Sequence, residues 1–382
     1  MSMPKVSILY TNGALGTALN FAEGVCGAIM TGVATANMPL GTPKSVYSFS
    51  DVKDLLITSA GNPAAYKALK EFYDMAGDGA ALHFMMVANT MTQQQMWDNT
   101  SSTGIKAVLD YAQGAVRVAF SVYNPSSAGA ITNALETDVY NAITNAQVTA
   151  TAYATANMPF RALIDGRGFT GVAASLTDLT SLTANRVSVV IGSTTNDSKS
   201  SVGLCAGSFA AIPVQRKISR VKNGALPIAI ASGYVGAQSV DTCTYLDTIH
   251  DKGYIILRKF APGKSGYYWN GDHTCCANTD DYNSFARGRV IDKAAIIAYT
   301  TFIDEVDDEI AVDDQNKILP GVVKYLQDKI ENQIRLTMSG QISKVSAYID
   351  PAQDILSTSK TTVVLKITPV GYNSNIDVKL GF

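Results

Sequence analysis

Between residues 104 and 191 the chain three times runs from a helix-patterned segment into a short apolar segment of strand character. That alternation is its strongest constraint on fold. A helix near Gly104–Gln113 feeds a strand at Val116–Tyr123, a longer one at Glu136–Ala156 feeds Phe160–Ile164, and a third near Leu176–Ala184 feeds Val187–Ile191. Helix–strand alternation favours a largely parallel sheet covered by helices, so the expected class is α/β, α+β over the whole chain. No fixed sequence repeat accompanies the theme.

The flanks add elements of the same size. Val25–Gly32 lies in a small-residue apolar segment, and Pro39 and Pro43 force a loop after it. Pro63 opens a helix in which Tyr66, Leu69, Phe72 and Tyr73 recur at helical spacing; Gly77 and Gly79 stop it, and Leu82–Val87 reads as a buried strand. Polar residues from Ser193 to Ser201 mark a loop before a helix at Val202–Ala211 and a basic stretch, Arg216, Lys217, Arg220 and Lys222. Further on come strands at Ile255–Phe260 and Tyr267–Trp269, a helix capped by Asp281 or Ser284 that reaches about Ile310, and a helix opened by Pro320. Val323, Leu326, Ile330, Ile334 and Met338 form the apolar stripe of that last helix, which Gly340 ends.

Both termini read as strands with one apolar face. At one end Val6, Ile8 and Tyr10 alternate with Lys5, Ser7 and Leu9. At the other, after a strand at Thr361–Thr368, Ile376, Val378 and Leu380 alternate with Asp377 and Lys379.

Charged residues make up only 16% of the 382 residues, against about 25% in average soluble domains, so much of the surface is neutral and suited to burial against other subunits. With 30 basic against 32 acidic residues, neither nucleic acid nor an anionic membrane is an expected partner. The opening Met1-Ser2-Met3-Pro4-Lys5 lacks the basic stub and apolar run of a secretory signal, and folding in a cytoplasm is expected. Five scattered cysteines suit reduced thiols better than a disulfide framework.

No catalytic set emerges. Asn12-Gly13-Ala14-Leu15-Gly16-Thr17 lacks the lysine and spacing of a phosphate-binding loop, and Gly192-Ser193-Thr194-Thr195 follows a strand but reads as a polar loop. Asp272, His273, Cys275 and Cys276 resemble a metal cluster only loosely, because adjacent cysteines on a strand point to opposite faces. His83 and His250 read as structural histidines. The expectation is a protein that is no enzyme and takes no cofactor or metal, with an α/β nucleotide-binding protein or enzyme as the alternative. One charge feature stands out: Asp304, Glu305, Asp307, Asp308 and Glu309, continued by Asp313 and Asp314, form an acidic run at the expected carboxyl end of a helix, where the helix dipole disfavours it. A basic surface on a neighbouring subunit, such as Arg216–Lys222, would compensate it.

The order of features resembles the contractile tail sheath family of myophage tails, R-type pyocins and related injection systems. The glycine-containing strand Val25–Gly32, the proline loop Pro39–Pro43 and Ser45-Val46-Tyr47-Ser48-Phe49-Ser50-Asp51 look like the family's opening pattern. Gly266-Tyr267-Tyr268-Trp269-Asn270-Gly271-Asp272-His273-Thr274 is similar to its Trp-Gly-Asp-Arg-Thr segment, with Asn270 inserted and His273 in the arginine's place. A basic residue on a long helix, Arg287 or Arg289, then a second amphipathic helix and a final strand pair complete the order.

The resemblance implies an inner sheath domain built from the terminal segments, an inserted outer α/β domain, and extended strand arms at both ends. The corresponding division is an arm at 1–20, an outer domain at 21–243 with a variable insertion at about 104–200, an inner domain at 244–370 and an arm at 371–382. It also implies a structural subunit, not an enzyme, that polymerises helically in hexameric rings around an inner tail tube, with baseplate and tail terminator proteins as further partners. Lys5, Val6, Ile8, Tyr10, Ile376, Val378 and Leu380 would then be exchanged between subunits as strands, and Lys324, Lys329 and Arg335 would face the tube. The place implied is a virion tail or contractile injection particle assembled in the bacterial cytoplasm. Another self-assembling tail or capsid component is a further alternative.

Overall fold

Every residue of β1 (Cys26–Gly32) is buried, and this strand sits inside the sheet around which the chain folds. The computed structural model describes residues 23–260, 262–374 and 376–381. β2 (Lys44–Val46), β3 (Leu82–Ala88), β4 (Val118–Val122), β5 (Arg161–Asp165) and β6 (Val187–Val190) complete a six-stranded sheet in the order β2-β3-β1-β4-β5-β6. Only β2 is antiparallel to its neighbour. The strands read as near-continuous apolar runs because helices cover both faces.

The helices fall into two pairs. Phe72 of α1 (Pro63–Ala76) stacks on Phe120 of β4, while Val108 of α2 (Ile105–Tyr111) lies beside Gly27 of β1. Gly27 is in register with Ala119 and Ala28 with Phe120, so α1 and α2 lie on opposite faces. The Tyr153 hydroxyl of α3 (Thr137–Thr155) donates to Asp110 of α2. α4 (Val202–Ala210) packs on α1 at glycine distance: a Cβ on Gly203 would stand 2.1 Å from the Ala68 carbonyl oxygen, and one on Gly207 2.5 Å from that of Phe72.

The helix expected at Leu176–Ala184 is not there. The segment forms 3-10 turns at Ala173–Ser175 and Leu179–Ser181, then a two-residue strand, Thr183–Ala184. The Asp178 carboxylate accepts bonds from the Thr180 amide and hydroxyl, and the Ser181 hydroxyl donates to the Asp178 carbonyl. Such local side-chain bonds compete with the helical ladder.

Residues expected in the inner domain also join this first core. Ile255 bridges Val190, and Tyr254, Leu257, Trp269, Cys275 and Phe285 pack with the sheet and its helices. Residues on both sides of 244 share this core, and the stretch 104–200 supplies three strands of the sheet. β7 (Leu257–Phe260) and β8 (Lys264–Trp269) form a hairpin within this region.

A second unit follows from α5 (Phe285–Phe302), α6 (Pro320–Thr337), β9 (Ile342–Ile349) and β10 (Val363–Pro369). Ile330, Ile334 and Met338 of the expected stripe meet Val290, Ala294 and Ile297 of α5, and Val345 of the β9–β10 hairpin closes that core. Three sequence expectations change here. α5 ends at Phe302, short of Ile310, and a 3-10 turn at Ile303–Glu305 succeeds it. The partner of the strand at Val363–Pro369 is Ile342–Ile349. Among the described residues, 376–381 join no ladder, so the strand expected at the end of the chain has no partner there.

Candidate functional site

Two buried charges join the two units. Arg161, at the head of β5, sends its Nε to Asp292 Oδ2 of α5 at 2.9 Å, and Arg186 Nη1 reaches Asp292 Oδ1 at 3.0 Å. Arg161 also donates to the Asn185 carbonyl at 2.8 Å. Gly288 makes the approach possible, since a Cβ there would fall 1.7 Å from the guanidinium carbon of Arg161. Burial pulls the Arg161 pKa down, and the Asp292 charge beside it acts in the opposite direction. Sequence reasoning passed over it. Its signal was a charge inside each of two apolar runs, Phe160–Ile164 and the inner face of α5.

The roots of both chain ends meet on one strip of backbone, residues 212–217. Glu23, the first described residue, accepts from the Val214 amide at 3.0 Å, from Gln341 Nε2 at 2.7 Å and from Lys293 Nζ. Burial raises the Glu23 pKa, but these hydrogen bonds and the Lys293 charge outweigh it and hold the carboxyl below its ordinary value. Arg289 Nη2 donates to the Glu23 and Ile212 carbonyls at 3.0 and 3.3 Å. At the other end the Tyr372 hydroxyl donates to the Gln215 carbonyl at 2.6 Å, and the Lys217 ammonium sits 4.8 Å from the Tyr372 ring centre. Beyond Tyr372, Ile376, Val378 and Leu380 are 74%, 73% and 93% exposed. Lys5, Val6, Ile8, Tyr10 and the Asn12–Thr17 glycine segment lie outside the described residues.

The β9–β10 hairpin is two-stranded among the described residues, so each strand has one edge without a ladder partner. One face packs on α5 and α6, and Tyr348 and Val364 stand exposed on the hairpin. Unpaired N–H and C=O groups along a long edge strand are a template for a further strand.

The acidic run lies past the end of α5 instead of on its last turn. Asp304, Asp307, Asp308 and Glu309 are exposed, and Glu305 pairs with Lys329 of α6. Of the basic stretch, Arg216, Arg220 and Lys222 are exposed, whereas Lys217 is held by Asp272 at 3.3 Å. The three cations expected on the tube side are each paired within the chain: Lys324 with Asp328 at 2.7 Å, Arg335 with Glu331 at 2.5 Å, and Lys329 with Glu305. The polar face of α6 is therefore mixed in charge.

The segment from Trp269 to Thr274 has a structural explanation. Trp269 Nε1 donates to the Ser208 hydroxyl at 2.9 Å, and Asp272 Oδ2 accepts from the Ser284 hydroxyl at 2.7 Å and the Ala286 amide at 2.9 Å. Ser284, one of the two residues the sequence suggested, stands at the N-cap of α5, but the side-chain acceptor for the Ala286 amide comes from Asp272, twelve residues upstream of it. His273 rests edge-on against His250, ring centres 4.7 Å apart; burial first and the neighbouring His250 second push its pKa down to about 4. Cys275 and Cys276 are buried, and no cluster of metal-binding side chains occurs among the described residues. The Gly192 loop is occupied by its own protein: Lys67 Nζ donates to the Thr195 and Ser193 hydroxyls at 2.9 and 3.4 Å, and the hydroxyls of Thr194 and Ser201 donate to the buried Glu71 carboxylate.

This fold, a parallel sheet carrying a two-helix, one-hairpin unit, is that of contractile sheath proteins of solved structure. The chain matches the contracted helical sheath of the anti-feeding prophage with a TM-score of 0.65 at 14% identity, covering 100% of this chain and 99% of that one. It matches the contracted sheath complex of an extracellular contractile injection system, PVC, with a TM-score of 0.61 at 13% identity, covering 100% and 98%. A sheath tail protein from Desulfitobacterium hafniense gives 0.51 at 10% identity, covering 96% and 100%. By sequence the chain belongs to the DUF2586 family, its N-terminal domain matching residues 3–273 and its C-terminal domain 281–382. No curated protein matches it in sequence. The division between the two family domains falls just before α5, where the second unit begins.

Proposed function

We propose that this protein is a structural subunit of a contractile sheath, polymerising helically around an inner tube and contracting to drive that tube forward. The observation that carries the reading is the pairing of an open-edged hairpin with an exposed, alternating arm anchored at Tyr372. Its likeness over the full chain to sheaths in the contracted state supports it.

In this reading the segment Ile376–Leu380 of one subunit and Lys5–Tyr10 of another add as strands to the free edges of β9 and β10 in a third. Backbone groups on both sides gain partners, and each apolar side chain fully buried on the shared face contributes about 1.5–3 kcal/mol. Because both arm roots are tied to residues 212–217, a subunit that rotates carries both links with it, and the mesh stays connected during contraction. Contraction needs no bound fuel where a metastable extended lattice relaxes into larger contacts, so the role is structural and not catalytic. The subunits would stack as hexameric rings, with the inner tube, baseplate and terminator proteins as partners and the bacterial cytoplasm as the place of assembly. The charge-mixed face of α6, with Lys324, Lys329 and Arg335, is our candidate for the tube side.

Electron microscopy of the purified protein tests the reading. Hollow striated cylinders are expected from the full chain, and their loss on removing residues 1–20 or 373–382. Discrete particles from the full chain, or cylinders from both truncated forms, would overturn it.

A further inference from the structure

Strand exchange leaves two surfaces of the chain unused. One is a groove of about 760 Å³ between the end of α5 and the connection from β9 to β10. Phe302, Val306 and Leu326 form one side, and Ile355, Leu356 and Val363 the other. Its rim is acidic, with Glu305, Asp307 and Asp308, and Lys360 also lines it. Lys329 takes up Glu305, but among the described residues no cation lies within ion-pair distance of Asp304, Asp307, Asp308 or Glu309.

The other surface begins at the basic stretch and ends in an apolar tip. Leu226 is buried, and its amide donates to the Tyr267 carbonyl at 2.9 Å, which fixes the root of the loop. The Ser232 amide then closes a turn on the Ala229 carbonyl at 3.1 Å, with Ala231 at φ 60°, and this turn holds Ile230 94% exposed at its tip. Ahead of the loop, Arg216, Arg220 and Lys222 are exposed, and none of them has a carboxylate partner among the described residues. A single exposed isoleucine means little alone. An apolar tip flanked by bases, on a chain that also carries an apolar groove flanked by acids, is a complementary pair.

We infer that the Ile230 turn of one copy seats in the groove of a second copy, with Arg220 and Lys222 against Asp307 and Asp308. This rests on the sheath reading, as a contact between copies within the polymer. Two different patches of one chain make a heterologous contact, which repeats head to tail and closes into a ring or winds into a helix. The acidic run, which α6 compensates only at Glu305, would find its remaining partners there.

The test mixes two full-length variants, Ile230→Cys and Leu356→Cys, under mild oxidation. Both positions are exposed, so neither change disturbs the core. A disulfide-linked pair above the background of each variant alone is expected. Adding Asp307→Lys with Asp308→Lys to the second variant should lower its yield at least tenfold, and adding Arg220→Glu with Lys222→Glu to the first should restore it. Absence of the link, or a yield indifferent to these charges, overturns the contact. Cylinders without the link leave the sheath reading standing and this contact refuted; the link in particles that never form cylinders does the reverse.

Discussion

Arg161 Nε lies 2.9 Å from Asp292 Oδ2, and this contact fastens the helix-and-hairpin unit to the parallel sheet through two side chains that are almost wholly buried. Such a pair is sensitive to loss of one member, because the other is left as an uncompensated buried charge. Asp292→Ala strands both Arg161 and Arg186, and should cost about 3–5 kcal/mol. Urea unfolding of the purified subunit measures it.

Gly288→Ala gives a sign test of the same junction. In an exposed helix the change would stabilise by roughly 1 kcal/mol. Here the new methyl group would stand 1.7 Å from the Arg161 guanidinium carbon, so the protein should be destabilised and its melting temperature should fall.

His273 gives a pH dependence. Its pKa is pushed down to about 4 by burial and by His250, against an ordinary value of about 6.5. Between those values the unfolded chain binds the proton and the folded chain does not, so the histidine withdraws stability as pH falls from 6.5 toward 4. The buried carboxyls of Glu71 and Asp165, whose pKa values burial raises, act in the opposite sense over their own range. His273→Gln should therefore flatten the acid-side fall in melting temperature relative to the unaltered protein, and an unchanged profile would count against the assignment.

Glu23→Gln should loosen the tie between residue 23 and the backbone strip 212–217. Lys293, itself buried, would lose its carboxylate partner and keep only the Thr337 carbonyl and Gln341. A loss of about 1.5–3 kcal/mol is expected, the range of a hydrogen bond to a charged group. Since the native Glu23 pKa lies below its ordinary value, its contribution is present above the unfolded pKa and is lost as pH falls through the folded one. The difference between variant and native stability should narrow accordingly in acid.

Ile376→Asp with Val378→Asp separates assembly from folding. Both side chains are exposed and touch no core, so the stability of the subunit should stay within about 0.5 kcal/mol. Cylinder formation should be lost. Light scattering and electron microscopy read the second outcome, and thermal unfolding the first.

The sequence by itself determined the elements whose period comes from burial on a continuous sheet or helix face: the strands from Cys26 to Val190 and the α6 stripe from Val323 to Ile334. It misplaced what depends on particular bonding partners, near or distant along the chain. The segment 176–184 looked helical until Asp178 bonded its own turn, and Val363–Pro369 was assigned a neighbour after it in the chain when its partner lies before it, at Ile342–Ile349. Asp272 as the acceptor for the Ala286 amide of α5, Gly288 as the seat for Arg161, and the meeting of Glu23 and Tyr372 on residues 212–217 were decided only by the tertiary structure. Periodicity records which face of an element is buried, but not which residue far along the chain it is buried against, and the latter fixes where caps, ion pairs and the contacts of Glu23 and Tyr372 come together.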